Sequence, residues 1–67
     1  MRVSRTGRGP TQAAAEAALK ERMRILYAQY LKTEPIANVW EVIRREHDIS
    51  FGEGGTLIHA ITQWVRV

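Results

Sequence analysis

His47 stands between Glu46 and Asp48, and His59 follows twelve residues later. Imidazole and carboxylate groups are common zinc ligands, so this pair is the first place to look for a metal. The spacing does not fit: no HExxH or comparable ligand pattern surrounds either histidine. Asp48, Ser50 and Gly52 alternate as the start of a calcium loop does, but the further acidic ligands are missing. Ser50, His47 and Asp48 are the residue types of a hydrolytic triad. Close neighbours in sequence seldom reach triad geometry, which draws its members from separate elements. The chain has no cysteine, so it offers neither a thiolate nucleophile nor a thiolate metal site. No catalytic residue, metal ligand or cofactor is assigned.

The glycine run Gly52-Glu53-Gly54-Gly55-Thr56 precedes a segment with helical potential, as an anion-binding loop would. A phosphate loop needs a lysine after its last glycine, and none is present. Glu53 would repel a phosphate. The run reads as a tight connection that needs positive φ.

The arginines carry the clearest signal. Arg2, Arg5 and Arg8 give the first ten residues a charge of +3, with no acid among them. The remaining residues hold seven basic and seven acidic groups and sum to zero. Guanidinium groups bind phosphate in a bidentate fork, and arginine-bearing arms enter the minor groove in several DNA-binding folds. Arg44 and Arg45 would add contacts from the body, so Arg2, Arg5, Arg8, Arg44 and Arg45 are the candidate nucleic-acid residues. Double-stranded DNA is the partner they imply. Asp48-Ile49-Ser50 resembles the turn of a helix-turn-helix motif. Gly54 then stands where that motif has a branched core residue, and Arg44 where it has a small one.

The elements that must position these groups follow from length and periodicity. Sixty-seven residues make one small domain, and such a chain buries only about 60% of its extended surface. A catalytic cleft would consume core that it needs, so the reading excludes an enzyme. Apolar residues at 45% and charged residues at 25% are ordinary for a globular domain. No apolar run approaches the ~18 residues of a membrane span, and no signal-peptide pattern opens the chain, so a cytoplasmic location is expected.

Residues 1–9, with two glycines and no helical repeat, read as a flexible basic arm; a short strand through Arg2–Arg5 is the rival. From Pro10 to about Lys32 nearly every residue is a good helix former. Ala15, Leu19, Met23, Leu26 and Tyr30 step by three or four along one face. Glu16 and Lys20 are spaced for an i,i+4 pair. Thr33 can cap a second helix over about 34–47, with Ile36, Val39, Trp40 and Ile43 on one face. Thr56 can cap a third over about 56–66, placing Leu57, Ile58, Ile61, Trp64 and Val65 together, with a strand as the alternative. The expected fold is all-α, a small three-helix bundle over 10–67 with the arm attached.

Two tryptophans, two tyrosines, one phenylalanine and the large aliphatics are a rich supply for so small an interior, and Tyr27, Tyr30, Trp40 and Trp64 are the candidate protein-interface residues. Burial of this surface between chains would make a homo-oligomer. Two functions fit. One is a small, dimeric, non-enzymatic DNA-binding regulator that contacts phosphates through the arm. The other is a phage- or plasmid-type accessory protein that inhibits a host protein through an apolar helix face.

Overall fold

The structure, a computed structural model, describes residues 2–31 and 41–66. It contains strand β1 (Arg2–Gly9), helix α1 (Gln12–Leu31), strand β2 (Glu41–Phe51) and strand β3 (Leu57–Arg66). The three strands form one sheet in the order β1-β3-β2, with both neighbours antiparallel to β3. α1 packs on one side of the sheet, against β1 and β3. The expected three-helix bundle is therefore incorrect, and so is the flexible arm.

Three local causes account for the difference. The first lies in residues 2–9. Val3, Arg5, Gly7 and Gly9 point to the helix side, while Arg2, Ser4, Thr6 and Arg8 point away, a period of two. Gly7 and Gly9 are where α1 presses on the strand. A Cβ on Gly7 would lie 2.3 Å from the Leu19 amide nitrogen, and one on Gly9 2.6 Å from the Ala14 side chain. These glycines permit close packing; they do not supply slack.

The second cause is the turn between β2 and β3. Gly54 and Gly55 adopt φ of 70° and 76°, a region that residues with side chains avoid. They let the short 3-10 turn Glu53–Gly55 reverse the chain. The Gly52 amide donates to the Thr56 carbonyl at 2.7 Å, closing the hairpin. The Thr56 hydroxyl donates to the Glu53 carbonyl at 3.0 Å. Thr56 thus ties a hairpin loop and caps no helix.

The third cause is pairing. Val42, Ile43, Ile49, Ile58, Ile61, Thr62 and Val65 are β-branched and suit extended backbone. β2 and β3 pair along almost their whole length, with one bulge between Val42 and Arg44. The second and third expected helices are these two strands over the described residues. The helix-turn-helix reading fails with them, because Asp48-Ile49-Ser50 lies inside β2.

The first helix agrees with its sequence pattern. Thr11 caps it: its hydroxyl accepts from the Ala14 amide at 3.1 Å. Ala15, Leu19, Met23 and Leu26 form the buried helix stripe and meet Ile61 and Val65 of the central strand. Val3 and Tyr27 pack against this cluster from its edge. Glu16 does not pair with Lys20 as expected; it reaches Arg45 on β2 and ties the helix to the far strand.

The hairpin runs past the helix N-terminus and gives the molecule a long axis of 46 Å. No helix among the described residues is long and apolar enough to cross a membrane.

Candidate nucleic-acid interface

The side of the sheet opposite α1 has no covering element among the described residues. Its edge row on β1 is Arg2, Ser4, Thr6 and Arg8. Its central row on β3 is Ile58, Ala60, Thr62, Trp64 and Arg66. Its row on β2 includes Glu41, Arg44, Glu46, Asp48 and Ser50. Two contacts fix this assignment. The Thr6 and Thr62 hydroxyls hydrogen-bond across the strands at 2.8 Å. The Arg44 guanidinium lies over the Trp64 ring, 5.1 Å from its centroid. Such a cation–π contact at an exposed site contributes about 0.5–1 kcal/mol.

The five candidate arginines divide between the two sides. Arg2, Arg8 and Arg44 lie on the open face. Arg5 is turned to the helix side, opposite Gln63, and donates to the Ser4 carbonyl at 2.7 Å. Arg45 is also on the helix side, paired with Glu16. Arg44 pairs with Glu46 as well as covering Trp64. Arg2, Arg8 and Arg66 make no ion pair among the described residues. Arg66 is paired in register with Arg2, so two cations meet at one end of the face. Sequence reading missed Arg66 as a site residue. The alternation Arg2-x-Ser4-x-Thr6-x-Arg8 was the signal that a strand, and not an arm, carries the charge.

The four candidate interface aromatics do not come together. Tyr27 is half-buried against the core on the helix side. Trp64 is half-buried on the opposite, open face. Tyr30 lies within α1, but its side chain is outside the described residues, as is Trp40 altogether.

The histidines meet: His47 Nε2 and His59 Nδ1 are 2.9 Å apart with the rings stacked. One ring must donate and the other accept. No cluster of three or more metal-ligating side chains exists among the described residues. Ser50 lies on the open face, opposite to His47, so the three triad residue types do not converge.

On the helix side, a groove of about 480 Å³ runs between α1 and β2, with Leu19, Met23 and Tyr27 along one wall and Arg45 and Gln63 beneath. Arg24 on its rim is held by Glu21 at 2.6 Å. That hydrogen bond, and then the guanidinium charge, hold the Glu21 carboxyl below the usual carboxylate range. No family model, curated protein or solved structure matches the chain.

Proposed function

We propose that the protein is a non-enzymatic DNA-binding regulator that engages duplex DNA with the open face of its sheet, along the β1 side. The observation that carries this reading is the row Arg2-Ser4-Thr6-Arg8, flanked by Arg66, on a face that no helix covers among the described residues. Six residue steps along the strand separate Arg2 from Arg8, about 20 Å at the usual rise. The major groove is about 12 Å wide and admits a two-stranded ribbon. β1 and β3 form such a ribbon. Arginines at its ends reach the phosphates on either side, and the hydroxyls of Ser4, Thr6 and Thr62 face the base edges between. The acids Glu41, Glu46 and Asp48 sit on β2, on the far side of β3 from Arg2 and Arg8, with Glu41 in register with Arg66.

Fluorescence anisotropy on duplex DNA across a salt series tests the reading. Each neutralised phosphate contributes about −0.9 to the slope of log K against log salt, so three arginines give about −3. The double substitution Arg2→Ala and Arg8→Ala should flatten that slope by about 2. Binding absent at low salt, or unchanged in the double variant, contradicts the reading.

A second reading, an accessory protein that inhibits a host protein, is favoured by one observation. Phe51 is 76% exposed and Leu57 38%, side by side at the hairpin tip. The apolar stripe of α1 is committed to the core, so this tip is the surface such a protein would use. Capture of one saturable protein partner that Phe51→Ser abolishes would favour it over DNA binding.

A further inference from the structure

Among the described residues the sheet has two unpaired edges, β1 and β2, and they differ in what a second copy would meet there. The hydrogen bond from the Gly52 amide to the Thr56 carbonyl makes Phe51 and Leu57 a non-hydrogen-bonded pair. Down β2 as far as the bulge, the even-numbered residues Ser50, Asp48, Glu46 and Arg44 therefore bond to β3. Arg45, His47, Ile49 and Phe51 turn their amide and carbonyl groups to the open edge. By the same alternation, the free groups of β1 belong to Arg2, Ser4, Thr6 and Arg8. Unpaired edge groups are a template for another strand unless charge or shape forbids it.

Charge disfavours self-pairing at β1. The antiparallel two-fold register that uses most of that strand centres on Arg5. It sets Arg5 against Arg5 and Arg2 against Arg8 of the second copy. Like charges directly opposite destabilise a pair of strands.

At β2 the pairs that flank the axis are complementary. The register that uses most of Glu41–Phe51 centres on Glu46. It puts Arg45 opposite His47 of the second copy, and both residues present free edge groups, as an antiparallel hydrogen-bonded pair requires. On the open face it puts Arg44 opposite Asp48 of the second copy, twice by symmetry. On the helix side the bulge at Ile43 brings Val42 beside Ile49 of the second copy. These two side chains are 50% and 56% exposed in the single chain. The Glu46 carboxylates meet at the axis, each held by its own Arg44.

The geometry points to β2 as the subunit interface of a homodimer: two copies joined edge to edge into a six-stranded sheet, specified by Arg44–Asp48 pairs across the two-fold axis. A two-fold perpendicular to the sheet keeps both helices on one side and both open faces on the other. The inference stands apart from DNA binding, and its test is a mass. Asp48 forms no ion pair within its own chain among the described residues, which leaves it for the second copy.

The test is sedimentation equilibrium on the full chain across the micromolar range, with circular dichroism to establish folding. The wild type should sediment at twice the 7.6 kDa chain mass. Arg44→Glu alone and Asp48→Arg alone should each shift toward the single-chain mass while staying folded. Mixed one to one, the two variants should form a heterodimer. In the mixture every interface pair is again opposite in charge, Glu against Arg on one side and Asp against Arg on the other. A wild type of single-chain mass throughout overturns the inference. So do masses above the dimer, folded single variants that stay fully dimeric, or a mixture that stays monomeric. If Arg44→Glu unfolds through loss of the Trp64 contact, Asp48→Arg mixed with Arg44→Gln replaces it; the dimer should then return in part on mixing, and its absence overturns the inference.

Discussion

The Leu19 backbone rests on Gly7: a Cβ at Gly7 would come within 2.3 Å of the Leu19 amide nitrogen and 2.4 Å of the Ala15 carbonyl oxygen. Helix and strand backbones thus touch without a side chain between them. This contact sets the depth at which Leu19 and Ala15 reach Ile61 in the core. Gly7→Ala should destabilise the fold by at least the roughly 1–3 kcal/mol of an overpacked core. A domain of this size has only about 3–10 kcal/mol in total. Urea unfolding followed by tryptophan fluorescence checks it. A midpoint equal to that of the wild type contradicts the contact.

Removal of residues 1–9 follows from the same packing. A dispensable arm could be cut away with the body left intact. Here the cut removes an edge strand paired with β3 from Arg2↔Arg66 to Gly9↔His59, and uncovers the helix stripe. The truncated chain should lose its cooperative thermal transition, as circular dichroism would report. A truncated chain that melts like the full one would restore the arm reading. For the same reason, loss of DNA binding on truncation would say nothing about phosphate contacts, and point substitutions are needed.

These two residues also show where the sequence was legible and where it was not. The spacing of Ala15, Leu19, Met23 and Leu26 identifies both the helix and its buried face, because a period of 3.6 has few alternative explanations. Residues 2–9 have the opposite period, but two of their four inward positions are glycine. A glycine that packs against a helix backbone has no apolar side chain to announce it. Nor does β2 announce itself. Only Ile43 and its neighbours resemble a helix stripe, and the earlier part of that stripe, Ile36 to Trp40, lies outside the described residues. β2 alternates poorly because most of it is exposed on both faces. β3 is read as a helix because apolar residues lie on both its faces, Ile58, Ala60 and Trp64 on the open one and Leu57, Ile61 and Val65 on the other, which hides the alternation. The Gly54-Gly55 pair between them was the best available strand signal. Two successive positive-φ positions close a hairpin far more readily than they open a helix. As for the site, residue type found the arginines, but only the register separates Arg2 and Arg8 from Arg5.

Glu21 and Arg24 give a prediction about acid. Arg24 holds the Glu21 carboxyl below its ordinary value, mainly by their hydrogen bonds. A carboxylate with a lowered folded-state value stabilises the fold above its unfolded value. That contribution is lost as the pH falls from there through the lowered value. Carbon-detected NMR titration should show Glu21 titrating below an unpaired glutamate, and Arg24→Ala should return it to the ordinary range. The pair is fully exposed, so the melting temperature at neutral pH should barely move. A large shift there would mean that Arg24 does more than pair with Glu21.

In the proposed function the face away from α1 meets DNA. NMR of the full chain with a short duplex at low salt tests it most directly, through signals that belong to one side of the sheet. The methyl groups of Thr6 and Thr62 and the Trp64 indole N–H should shift on titration, while those of Ile61, Val65 and Leu26, buried under the helix, stay in place. Shifts confined to α1 or to the hairpin tip at Phe51, with Thr6, Thr62 and Trp64 unmoved, would contradict it.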